Sequence, residues 1–397
     1  MLYRGVLTTV AAALALGLIA TGCSSGDETV RALKTGSVER PPGAPDFDEL
    51  RLNEVQYVGT HNSYHVAPAP ALFEAEKAAV NLLGPDAAAL GNIDSLLYTH
   101  DSLTTQLEQG IRAFELDVFA DPVGGLFAQP LAPRLLNVAD TPLPENMDEP
   151  GFKVIHIQDV DFMSTCPTLI RCLTEIADWS DANPDHLPLM IQIELKDDPL
   201  PAPLDITKVV RIGGPELDAL DAEIRSVFDD SELITPDDVR GEAATLNEAV
   251  TTAGWPTVGD SRGKVLFFLD NGGHVHEHYL AGRPNLEGRT AFTSAAEAGD
   301  ADRAVTKRND PLDGTIDDEV AAGYLVRTRA DADLVESWTN NTGPREAAIS
   351  SGAQIVSTDF PKANKADTGY VVTFGQSVEV RCNVVRVRTC PAARITG

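Results

Sequence analysis

Seven apolar runs rich in β-branched and aromatic residues recur along the chain: VQYVGTH at 55–61, RAFELDVF at 112–119, KVIHIQD at 153–159, LMIQIELK at 189–196, KVLFFLDN at 264–271, GYLVRTRAD at 323–331 and AQIVSTDFP at 353–361. Helical spacing fills the gaps. Leu103, Leu107 and Ile111 repeat at intervals of four before the second run, and Ile170, Leu173, Ile176 and Trp179 at intervals of three before the fourth. Strands alternating with helices imply βαβ units and parallel strands. Seven runs, with room for an eighth, predict an α/β fold of the TIM type, a (β/α)8 barrel. A doubly wound sheet is the poorer fit: its first strand often leads into a glycine-rich phosphate loop, and GTHNSYH is not one. The alternating tail YVVTFGQSVEVRCNVVRVRTC (370–390) predicts a β-hairpin appended to the barrel.

A length of 397 residues suits one barrel with insertions. A formal charge of -29 argues against nucleic acid as a partner and against electrostatic docking on an anionic membrane. The N-terminus offers another means of attachment. Arg4, an apolar run from about Val6 to Ala20, and then Cys23 read as a secretory signal, too short for a transmembrane span. The stretch IATGC resembles a bacterial lipobox, which implies lipidation of Cys23 and an exported, membrane-anchored or secreted protein. Four cysteines remain, and their spacing suggests Cys166–Cys172 and Cys382–Cys390 bridges, other pairings staying open. The expected layout is a signal at 1–22, a lipobox Cys and tether at 23–50, a catalytic barrel at 51–365 and a β extension at 366–397. No obligate protein partner is inferred.

Chemistry in such barrels sits at the C-terminal ends of the strands. The predicted strand ends carry His61 and Asn62, then Glu115 and Asp117, His156 with Asp159 beyond it, Glu194 and Lys196, Asp270 and Asn271, Arg327 and Arg329, and Asp359. Side chains two apart in a strand share a face, so Glu115 pairs with Asp117 and Glu194 with Lys196. Asn62, Glu115, Asp117 and Glu194 are all oxygen donors, which suits a hard cation, calcium above others. The HVHEH stretch (274–278) is expected in a solvent-facing loop, and His65 and His100 in structural roles.

The order of these motifs resembles that of the calcium-dependent secreted bacterial phosphatidylinositol-specific phospholipases C. GTHNSYH, LTTQLEQGIRAFELDV, the CPTLIRCL…W…HLP segment, IELK, VRTRAD and STDFP carry the likeness, over about residues 50–365. The resemblance implies that His61 and His156 are the catalytic pair and that Asn62, Glu115, Asp117 and Glu194 hold Ca2+. Metal-free relatives place a basic residue near the metal position, where this chain has acids. It implies further that the substrate is a phosphatidylinositol-type lipid in a membrane surface, cleaved to diacylglycerol through a 1,2-cyclic phosphate. In this reading a protonated His61 clamps the phosphorane, His156 protonates the leaving oxygen, and Glu115 or Glu194 is the base. Lys196, Arg327 and Arg329 hold phosphate or headgroup, or else form structural ion pairs. Asp359 binds an inositol hydroxyl or orients His61. The eukaryotic members carry lysines near the fifth strand's end, where this chain reads FFLDN, so an unphosphorylated inositide or a glycosylated form is expected.

Two rivals remain. A glycerophosphodiester phosphodiesterase shares the barrel and the acidic metal ligands, but its first strand ends in His-Arg-Gly rather than His61-Asn62-Ser63. A non-catalytic binding lipoprotein suits the tether and the acidic surface, but leaves the paired histidines and carboxylates without a purpose.

Overall fold

The computed structural model describes residues 46–83, 91–138, 140–199, 207–362, 365–375, 380–383 and 385–390. The expected signal, Cys23 and most of the tether fall outside them.

Eight parallel strands form the barrel: β1 (Val55–Thr60), β2 (Ala113–Phe119), β4 (Leu189–Leu195), β5 (Val265–Leu269), β6 (Ala291–Thr293), β7 (Val305–Arg308), β8 (Leu325–Arg329) and β9 (Ile355–Thr358). Their order is β6-β5-β4-β2-β1-β9-β8-β7, so among the described residues the ring stays unpaired between β6 and β7. β1, β2, β5 and β9 are buried along their whole length. That accounts for their near-continuous apolar character: helices cover the outer face and side chains fill the inner one. Gly59 marks a close approach of two strands, since a Cβ there would meet the Ala113 Cβ at 2.9 Å, and Gly59 is the residue by which β1 pairs with β2.

The helix over Leu169–Ala182 turns Leu169, Cys172, Leu173, Ile176 and Trp179 inward. Ile170 is exposed instead. A strict interval of three drifts behind the 3.6-residue turn, so the inward stripe begins at Leu169. The helix at Leu103–Glu108 is shorter than its repeat suggested, and Ile111 packs into the core after Gly110 has turned the chain at φ 97°.

Three expectations need correction. KVIHIQD is no barrel strand: only β3 (Lys153–Val154) is extended, pairing antiparallel with the end of β2, and the chain then turns through Asp159 at φ 67°. The tail is no hairpin among the described residues, because β10 (Val380–Cys382) pairs antiparallel with β1 instead. HVHEH lies on a helix, Gly273–Leu280, with His274 bonded to Asp197 and His276 to Asp302. Both local disulfides, Cys166–Cys172 and Cys382–Cys390, are present.

Candidate active site

The end of β1 runs directly into the site. Asn62 takes a left-handed conformation at φ 44°, which an asparagine tolerates better than a branched residue. Ser63 pins this turn onto β2: its backbone N–H donates to the Glu115 carbonyl at 2.9 Å, and its Oγ accepts from the Glu115 N–H at 2.8 Å. The register of β2 and β4 sets Asp117 opposite Glu194 and Glu115 opposite Gln192. Glu115, Asp117 and Glu194 each bring a carboxylate oxygen to within 4.8 Å of the others.

Glu115 is the most constrained of the three. It accepts from Gln192 Nε2 at 2.8 Å and from Arg327 at 2.5 Å. Gln192 also donates to Asp270 at 2.6 Å, and Lys307 pairs with the other Asp270 oxygen. A charged girdle thus crosses the mouth from Arg327 through Glu115 and Asp270 to Lys307. Above it, Lys196 Nζ lies 2.7 Å from Glu194 and 3.1 Å from Asp117. Burial pushes the Asp117 carboxyl up to about 8; the neighbouring carboxylates add to this and Lys196 opposes it.

Each histidine is braced at Nδ1 by a buried carboxylate. His61 Nδ1 is 2.9 Å from Asp359, and His156 Nδ1 is 2.8 Å from Asp161. Asp161 also meets His65 Nε2 at 2.8 Å. Burial alone would raise the Asp161 carboxyl, but the two imidazoles hold it down at about 2, so it is an anion at any working pH. His61 differs from expectation. Burial, with the Arg329 guanidinium, holds its pKa well below the usual histidine value. The imidazole is therefore neutral, donates its Nδ1–H to Asp359 and presents Nε2 as an acceptor. That favours a neutral ring over the protonated clamp expected from the sequence.

Asp359 lies against His61, and Arg329 follows it at 3.7 Å. Arg327 is fully buried between Glu115, Ser357 and Asn309. Sequence reasoning missed Asp161, Gln192 and Lys307. Asp161 stood two residues past the assigned strand, and Lys307 lay on a strand too short to recognise. A cleft of about 430 Å³ opens beside the cluster, lined by His156, Gln158, Glu194, Lys196, Asn271 and His274 among others.

The family "Phosphoinositide phospholipase C, Ca2+-dependent" matches residues 50–384. The chain belongs to this family. It is a phospholipase C enzyme with calcium as its cofactor, which sets aside the non-catalytic reading. No similar sequence was found among curated proteins. Two solved structures of a calcium-dependent phosphoinositol-specific phospholipase C from Pseudomonas sp. share the fold. The myoinositol complex has a TM-score of 0.52 at 14% identity, covering 85% of this chain and 97% of that one. The second crystal form has a TM-score of 0.52 at 15% identity, covering 85% and 98%.

The residues present fit calcium. Buried polar atoms almost always find a partner. Yet Asn62 Oδ1 and Nδ2 and Asp117 Oδ1 are buried without a hydrogen bond, and Asp117 Oδ2 has the Lys196 ammonium beside it. Three carboxylates that converge within 4.8 Å, with a buried amide at the end of the neighbouring strand, are the oxygen donors that a hard cation requires.

Proposed function

We propose that this phospholipase C cleaves phosphatidylinositol, or a glycosylated form of it, to diacylglycerol and inositol phosphate by way of a 1,2-cyclic phosphate. The observation that carries the reading is the pair of carboxylate-braced imidazoles beside one cluster of oxygen donors. Asn62, Glu115, Asp117 and Glu194 are the residues that would hold calcium. When bound, it supplies positive charge that acidifies the 2-hydroxyl and offsets charge gathering on the phosphate.

The chain's own residues do the rest. His61 accepts the 2-hydroxyl proton at Nε2 while Asp359 takes up the charge at Nδ1. The 2-oxygen attacks phosphorus, the bond from phosphorus to the glycerol oxygen breaks, and His156 gives that oxygen a proton from Nε2. Water then opens the cyclic phosphate with the two roles exchanged. Glu115 is not the base in this reading, since Gln192 and Arg327 occupy its oxygens. Arg329 and Lys196 keep part of their surface and are cations available to the phosphate. The end of β5 offers Asp270 and Asn271 rather than lysines, which favours an unphosphorylated headgroup.

Hydrolysis of phosphatidylinositol vesicles by the full chain, followed by phosphorus NMR, tests this. Inositol 1,2-cyclic phosphate appears with calcium and not with a chelator. Cleavage of glycerophosphoinositol in place of the lipid would return the reading to a glycerophosphodiester phosphodiesterase.

The lipid surface has support of its own. Leu82, Val123, Leu312 and Trp338 are exposed, and each belongs to a segment that leaves the C-terminal end of β1, β2, β7 or β8. Apolar side chains on that rim suit insertion at a bilayer, and a lipidated Cys23 beyond a tether would hold an acidic protein there. In one experiment, Leu82→Ser with Trp338→Ser lowers activity on vesicles but not on a soluble inositol ester, and Cys23→Ala shifts the enzyme out of the membrane fraction. Equal losses on both substrates would count against the rim, and an unchanged distribution against the anchor.

A further inference from the structure

Lys196 is the cation that meets two of the expected calcium ligands at once, and its position has a consequence for the metal. Its backbone is fixed: the Lys196 N–H donates to the Val118 carbonyl at 2.8 Å, extending the ladder between β4 and β2. Its ammonium lies 2.7 Å from Glu194 Oε1 and 3.1 Å from Asp117 Oδ2. Those carboxylates are two of the donors that calcium needs. Glu115 is already balanced by Arg327 at 2.5 Å. Two carboxylates and one ammonium therefore remain, and a doubly charged cation matches the two carboxylates only when the ammonium has left. Keeping both would crowd three positive charges against two negative ones in a buried site, where such repulsion is poorly screened.

We propose that Lys196 is a tethered counter-cation that closes the metal site, and that calcium binds by displacing it. The inference rests on the calcium reading of the Asn62, Glu115, Asp117 and Glu194 cluster. The side chain has somewhere to go. It lines the cleft of about 430 Å³ shared with His156, Gln158 and His274, and its ammonium can swing into that space without moving the strand. Lys196 thus weakens calcium binding while it stabilises the metal-free protein. The ammonium balances one of the two carboxylate charges when the ion is scarce, and the ion must outcompete a partner held at high local concentration by its own backbone.

Calorimetric titration of chelator-stripped full chain with calcium, together with metal-free melting temperature, tests this without reference to turnover. Lys196→Met binds calcium more tightly than wild type, on the order of tenfold, and melts at a lower temperature when metal-free. Lys196→Arg retains a displaceable cation and stays near wild type in both. Should Lys196→Met fail to fold, Lys196→Gln carries the same two expectations. Equal or weaker calcium binding in the neutral variants, with wild-type binding intact, overturns the displacement and leaves the calcium site standing. No calcium heat from wild type, with hydrolysis indifferent to chelator, overturns the displacement and the calcium reading together.

Discussion

His156→Ala lowers turnover of phosphatidylinositol by roughly 10²–10⁴-fold, the usual worth of a positioned general acid, and leaves calcium binding as it was. The cause is the leaving group. A glycerol alkoxide is a poor one, and the proton it needs comes from His156 Nε2, whose ring is oriented by the 2.8 Å bond from Nδ1 to Asp161. An inositol phosphate ester of nitrophenol leaves without that proton, so the same variant loses much less activity on it. Asp161→Asn produces a smaller loss with the same preference for the activated ester, because the ring is then less firmly oriented. Kinetics of both variants on both substrates decide the matter. Equal losses on lipid and activated ester would remove His156 from the role of acid and leave it a structural neighbour of His65.

The residues of the site that could be read from sequence are those that ride on long strands. β1, β2 and β4 span six or seven residues, so a period of two is enough to set Glu115 with Asp117, and Glu194 with Lys196, on one face. The rest was hidden for physical reasons. β6 and β7 have three and four residues, too few to show a period, and Lys307 was lost with β7. Ile155 and Ile157 flank His156 in a pattern that looks extended. Their neighbours instead close a turn, in which the Asp161 N–H bonds the Ile157 carbonyl, and that reversal brings Asp161 under His156. The pairing of Arg327 with Glu115 joins residues 212 positions apart, a distance over which only tertiary folding speaks. The protonation of His61 was likewise out of reach, since it depends on burial and on Arg329 rather than on the residues beside it.

Glu76→Gln makes the protein more stable at alkaline pH, and for a reason that lies next to the catalytic acid's brace. Glu76 sits on the helix Pro70–Leu83, buried, with neither carboxylate oxygen hydrogen-bonded. Burial, helped by the nearby Asp161 charge, pushes its pKa up to about 8 from an ordinary 4.5. The folded protein therefore keeps a proton on Glu76 over a range in which the unfolded chain has released it. Stability from this group is complete below the unfolded value and falls as pH rises from there toward the folded one, because the native state binds the extra proton. At pH 8.5 the accumulated cost is on the order of 2–4 kcal/mol, given about 1.4 kcal/mol per pKa unit and some relaxation around the ionised carboxylate. Urea unfolding at pH 5 and at pH 8.5 measures it. Wild type and Glu76→Gln differ little at the lower pH, and the variant leads by that amount at the higher one. A gap of the same size at both would mean that Glu76 does not titrate in this window. A neutral Glu76 leaves Asp161 as the anion bonded to both His65 and His156, and the alkaline penalty follows from keeping a second carboxyl beside it.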